Sequence, residues 1–157
     1  MKKQLAILAI LASTYLAADT TMHIGASLNS LEDSKTEKSI GFSYDNRTYF
    51  TKTYYFGGGI ELSELEDYNN IYTNLKFGYI FNKNFSLYGI GSFAKIDSKK
   101  ASLYGFGGGF GSDYKISKNF LISFTHTMYD SNYTSDSDKS ADKYDFGRST
   151  FNLGYIF

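Results

Sequence analysis

Phe151-Asn152-Leu153-Gly154-Tyr155-Ile156-Phe157 is the stretch that decides how this chain is read. Its period-two alternation puts Phe151, Leu153, Tyr155 and Phe157 on one face of a strand and Asn152, Gly154 and Ile156 on the other. A soluble domain rarely leaves so apolar a face at a terminus, where fraying is the rule.

The alternation recurs upstream. Segments Thr21 to Asn29, Ser39 to Tyr44, Tyr54 to Ser63, Ile71 to Phe81, Phe85 to Lys95, Leu103 to Ile116, Phe120 to Tyr129 and Tyr144 to Phe157 all carry it. The clearest is Ile71, Thr73, Leu75, Phe77, Tyr79 and Phe81 against Tyr72, Asn74, Lys76, Gly78 and Ile80, whereas Ile90 breaks the pattern of the fifth. Two tight connections are near copies, Asn82-Lys83-Asn84-Phe85 and Ser117-Lys118-Asn119-Phe120; a looser third is read around Asp45-Asn46-Arg47. With the C-terminus their centres fall about 36 residues apart, a hairpin repeat suited to a meander barrel. The other connections, 30–38, 64–70, 96–101 and 130–143, are rich in Asp, Glu, Lys and Ser. The expectation is an all-β, eight-stranded antiparallel up-and-down barrel.

Composition agrees. The 157 residues suit one domain; Tyr and Phe make up 18% of them, and Pro and Cys are absent. Without disulfides a secreted chain needs another source of stability, and barrel closure, which leaves no sheet edge, supplies one. Lys2 and Lys3, the apolar run Leu5 to Ala12, and Leu16-Ala17-Ala18 before Asp19 read as a secretory signal peptide over residues 1–18, leaving 19–157 as the barrel domain. That apolar run is too short for a spanning helix, which needs about 20 residues. Net charge is zero and scattered, which argues against a nucleic-acid partner.

Patterning alone leaves two barrels open, a soluble one with its apolar face inside and a transmembrane one with that face outward. The signal peptide, the terminal Phe and the aromatic bands favour the membrane form. Tyr79, Phe81 and Phe85 flank one tight connection, Tyr114 and Phe120 another, and Tyr44, Tyr49 and Phe50 the third; Tyr104, Met128 and Tyr68 would serve the opposite band.

On the segments FGYIFNKNFSLYG (77–89) and FNLGYIF (151–157), the chain resembles the small outer-membrane β-barrel superfamily that includes the OmpA-like transmembrane domain and opacity-protein-like porins. The resemblance implies the outer membrane of a Gram-negative bacterium, contact with its lipid and lipopolysaccharide, and a monomer. It also implies handling by the barrel-assembly machinery through a C-terminal signal made of Phe151, Leu153, Gly154, Tyr155 and Phe157. No peptidoglycan-binding domain is expected after Phe157, so cell-wall tethering is not among the expectations the resemblance brings.

An eight-stranded barrel is just wide enough for side chains to fill it. Glu61, Lys76, Asp113, Lys115 and Arg148 are therefore expected to form a paired lumen charge network, structural rather than gating. His126 shares the outward parity of Phe124 and Met128. Outer-membrane lipid A deacylases place a Ser two positions after such a His, where this chain has Met128, so an interfacial His is expected. Asp130 to Asp138 lacks the turn Gly and final Glu of a calcium loop, and His23 and His126 have no ligand spacing, so neither metal nor cofactor is expected. Glycines 57–59 and 105–111 fit no phosphate cradle and should make room for interior tyrosines such as Tyr55, Tyr72 and Tyr88. The expected role is non-enzymatic, in envelope structure or surface interaction with an unknown ligand. The alternatives are a narrow porin-like channel and, after it, a lipid A-modifying enzyme.

If the closing heptad directs assembly, Phe157→Ala lowers the membrane-inserted fraction, read as the heat-sensitive electrophoretic form, more than the loop change Asp136→Ala. Equal assembly of the two variants refutes the reading.

Overall fold

A computed structural model describes residues 19–31, 36–65, 68–97, 101–135 and 142–157. The signal-peptide reading falls on residues 1–18, outside this range. The strands are β1 (Asp19–Leu31), β2 (Glu37–Tyr49), β3 (Tyr54–Leu65), β4 (Tyr68–Ile80), β5 (Phe85–Asp97), β6 (Ala101–Lys115), β7 (Phe120–Ser135) and β8 (Asp142–Ile156). Each pairs antiparallel with its sequence neighbour, and β8 returns to β1 to close the barrel, with Thr21 opposite Ile156 and Ile24 opposite Leu153.

The strands outrun their apolar patterning. β7 continues to Ser135 and β8 starts at Asp142, so much of the segment expected as the 130–143 loop is paired strand, with Asp130 opposite Asp145 and Tyr133 opposite Asp142. Beyond the apolar zone, side chains no longer need to alternate apolar and polar, but pairing still satisfies the backbone. Asp130 points outward and Ser131 inward, which splits the residues a calcium loop would have to converge.

The third tight connection is likewise misplaced by the sequence. Asp45 and Arg47 lie within β2, buried and facing the lumen, and the turn is Phe50 to Tyr54. Its Thr51-Lys52-Thr53 does the same work as Asn82-Lys83-Asn84 and Ser117-Lys118-Asn119. Phe50, Phe81 and Ile116 donate their N–H to the carbonyls of Tyr54, Phe85 and Phe120 at 3.1, 3.0 and 2.9 Å. Thr51 Oγ1 accepts from the N–H groups of Thr53 and Tyr54, Asn82 Oδ1 from those of Asn84 and Phe85, and Ser117 Oγ from those of Asn119 and Phe120. One turn is thus built three times, capped by whichever short polar side chain is available.

Outward faces are apolar. Ile40 and Phe106 are 71% and 74% exposed, and Ile71, Leu75, Phe77 and Tyr79 run along β4. Such a tilted nine-residue run spans about 20–25 Å, the height of a transmembrane barrel's apolar band. At the turn end the band finishes in Phe50, Tyr54, Phe81, Phe120, Tyr155 and Phe157. Tyr49, read above as part of that band, instead faces inward, packs on Tyr55 and donates a hydrogen bond to Asp19. Tyr104 and Met128 are exposed toward the loop end, and the side chain of Tyr68 lies outside the described residues. Ile90 breaks the outward pattern because it faces the lumen, while Gly89 and Gly91 take the outward positions.

Two aromatic layers fill the lumen. Tyr55, Tyr88 and Ile90 lie toward the turn end, and Tyr72, Ala94, Tyr129 and Phe146 toward the loop end, where Tyr129 and Phe146 stack at 4.5 Å. Glycine makes room for them across the pairing registers: a Cβ on Gly78 would sit 2.1 Å from Tyr55 Cζ, and one on Gly111 2.5 Å from Tyr88 Cε2. Gly78→Leu should cost about 1–3 kcal/mol in urea unfolding from micelles through overpacking. Adding Tyr55→Ala should restore part of it; no recovery in the double variant would show that the ring contact is not the cause.

Candidate functional site in the lumen

Closure brings inward residues of distant strands together. Arg148 of β8 reaches Glu61 of β3: Nη1 donates to Oε2 at 3.0 Å and Nη2 bonds Oε1, while Nη2 also donates to Ser27 Oγ at 2.6 Å. Ser27 shares a 2.9 Å bond with Thr150, and the guanidinium lies 4.1 Å from the centre of the Tyr72 ring. This bidentate geometry matches a planar fork to a carboxylate.

Toward the turn end, Lys76 Nζ donates to Asp45 Oδ2 at 2.6 Å, and His23 Nε2 lies 3.0 Å from the same oxygen. A step further, Arg47 Nη2 ion-pairs with Asp113 Oδ2 at 2.7 Å, and Tyr88 Oη donates to Asp113 Oδ1 at 3.1 Å. Arg47 and Lys76 sit over the rings of Tyr55 and Tyr88. All six acidic and basic side chains of these pairs are buried, and each carboxylate faces a cation. Isolated buried charge is costly, and placing each carboxylate against a cation offsets that cost for both partners.

Of the residues expected in the network, Glu61 and Arg148 meet each other, whereas Lys76 and Asp113 meet Asp45 and Arg47, which the misplaced turn had hidden. Lys115 does not join them. Its side chain is 34% exposed at the turn-end mouth, with Nζ 3.7 Å from Asp19 Oδ2, because its place at the end of β6 lies below the packed layers. His23 was detectable only by its parity opposite Met22 and Ile24. In the closing strand, Phe151, Leu153, Tyr155 and Phe157 point outward, and Gly154 faces inward against His23, whose Nδ1 would be 2.6 Å from a Cβ there.

The lumen is not uniform along its axis. A cavity of about 20 Å³ bordered by Asp45, Glu61, Lys76 and Arg148 lies between the aromatic layers. That is room for about one water. At the turn end a vestibule of about 540 Å³ opens, lined by residues including Arg47, Tyr49, Tyr55, Asp113 and Lys115. The loop-end aromatic layer, with Ile96 and Leu103 against it, covers the other side.

On the outer wall, His126 Nδ1 bonds Ser149 Oγ of β8 at 2.9 Å and its ring packs on Phe110 at 5.8 Å. The serine it meets is a cross-strand neighbour, not one two residues along. The contact gives a polar ring on an apolar wall a hydrogen-bonding partner, and among the described residues no carboxylate bonds the ring.

The Glu61–Arg148 contact is the testable element. Glu61→Leu or Arg148→Met alone should destabilise by about 3–5 kcal/mol by leaving a buried charge unpaired, and the double variant should cost less than either. Additive losses in urea unfolding would show that the two side chains are not coupled.

The fold has known counterparts. The attachment invasion locus protein Ail of Yersinia pestis is similar at 20% identity with a TM-score of 0.56, over 88% of this chain and 98% of that one. Neisserial surface protein A is similar at 10% identity with a TM-score of 0.54, covering 88% and 96% of the two chains. The N-terminal β-barrel domain of Pseudomonas aeruginosa OprF matches at 12% identity with a TM-score of 0.50, over 87% and 97%. No protein-family model matches the sequence, nor does any curated protein. At these identities the likeness is one of fold.

Proposed function

We propose that this chain is a non-enzymatic outer-membrane barrel of a Gram-negative bacterium, a monomer exported by residues 1–18, whose closed, side-chain-filled wall serves envelope structure or surface interaction. The supporting observation is the inversion of polarity: apolar side chains cover the outside while paired charges fill the inside. A soluble barrel would have the reverse arrangement, because an exposed apolar belt of this size has no solvent to meet except lipid. The fold shared with Ail, itself described as an outer membrane protein, agrees with this reading.

In this orientation both ends of the described chain and the tight turns face the periplasm, and the longer connections face outward. The outward display of strand ends and loops is the surface-interaction part of the proposal. Recognition by the barrel-assembly machinery would run through Phe151, Leu153, Gly154, Tyr155 and Phe157.

A narrow channel is the competing reading, and the turn-end vestibule favours it. Against it stand the ion pairs and the aromatic layer between the vestibule and the loop end. Purified protein in planar bilayers is expected to show no steady conductance, and its unboiled form should migrate differently from the boiled form on electrophoresis. Regular openings altered by Lys76→Ala would establish a channel; solubility without detergent and unchanged mobility would refute the membrane barrel.

A further inference from the structure

The three tight turns share a sequence as well as a backbone: Phe50-Thr51-Lys52-Thr53-Tyr54, Phe81-Asn82-Lys83-Asn84-Phe85 and Ile116-Ser117-Lys118-Asn119-Phe120. In each the second residue caps the turn and an aromatic follows at the fifth, with a lysine exposed at the tip. None of these lysines makes an ion pair among the described residues, and no turn contains a carboxylate. The turn itself does not need lysine, because its hydrogen bonds come from backbone groups and the capping side chain.

Depth and distribution indicate what the lysines meet. Each stands two residues from an exposed ring that ends the apolar band, which in a membrane barrel is the level where lipid headgroups begin. A lysine stem can lie along apolar surface while its ammonium reaches the polar layer. The turns join β2 to β3, β4 to β5 and β6 to β7, so their lysines are spread around the rim and do not converge on one solute. In the remaining quarter, where β8 meets β1, Asp19 is engaged by Tyr49 and Lys115. Exposed carboxylates gather instead at the other end, at Glu37, Glu64, Asp130 and Asp145, so a chain of zero net charge is polarised along its axis.

We infer that the turn rim is a collar for anionic glycerophospholipids. Each site consists of a tip lysine facing the lipid phosphate beside a ring that packs against the upper acyl chain, in the leaflet on the turn side. The collar rests on the membrane reading above. It would hold the barrel at a set depth through charge as well as through the aromatic band, and it would weaken as salt screens the contact.

The test uses the full mature chain in phosphatidylcholine vesicles doped with spin-labelled phosphatidylglycerol or phosphatidylcholine, with the motionally restricted fraction read by electron paramagnetic resonance. The anionic probe should be retained roughly two- to fivefold over the neutral one at low ionic strength, the range expected for individual lysines at a charged surface. The K52Q/K83Q/K118Q variant should bring the ratio to about one while keeping the heat-dependent mobility shift, and Lys38→Gln at the opposite rim should leave it unchanged. Failure to insert into neutral vesicles would overturn the membrane reading. Insertion with no preference, or a preference that survives the triple variant, would overturn the collar alone. Co-sedimentation with isolated cell-wall polymer that depends on the three lysines, in the absence of lipid preference, would assign the rim to the polymer and overturn the lipid proposal.

Discussion

The pairing of β8 with β1 is the interaction on which the rest of the structure depends. Thr21 through Leu31 run against Phe146 through Ile156, and without that ladder the sheet would have two open edges. In hydrocarbon an unpaired backbone amide or carbonyl costs several kcal/mol, so an open sheet cannot face lipid and a closed one can. Closure at eight strands also sets a narrow bore, and the bore dictates the interior.

Large side chains can occupy such a bore only where facing residues are small. Hence Tyr55 packs over Gly78, Tyr88 over Gly111, and the carboxylate of Asp45 against Gly59. Charges enter the same space only in opposition, and each pair links strands that are not neighbours: β2 with β4, β2 with β6, β3 with β8. The sheet ladder holds adjacent strands, and the ion pairs brace strands that the ladder does not join. The proposed structural role draws on that bracing, because among the described residues ion pairs and an aromatic layer occupy the bore.

The ends of the barrel divide two kinds of chemistry. Short capped turns with lysine tips form one rim, and tall polar hairpins with exposed carboxylates form the other. The polar extension of β7 and β8 shows that strand pairing does not stop where the apolar band stops; it continues wherever the backbone can find a partner.

Much of this was legible in the sequence because a β-strand has a period of two and a membrane barrel reverses which face is apolar. The alternation in Ile71 to Phe81 and in Phe151 to Phe157 determined strand, which residues share a face and, through repetition, the number of strands and their up-and-down order; which face is outward rested on the terminal Phe, the aromatic bands and the signal-peptide reading. The placement of Glu61, Lys76, Asp113 and Arg148, and of Tyr55, Tyr72 and Tyr88, on the face opposite the apolar stripe came from the same parity, and the structure turns that face inward. Strand ends were not legible, because polar residues beyond the apolar band pair through their backbones whatever their side chains. That is why Asp45 and Arg47 passed for a turn while Thr51-Lys52-Thr53, capped by a hydroxyl instead of an amide, went unrecognised. Partners were not legible either. Parity says which side chains share a face, but which carboxylate meets which cation, and that Ser149 is the residue facing His126, depends on the register between strands and on distances across the ring. Only the closed tertiary structure sets those.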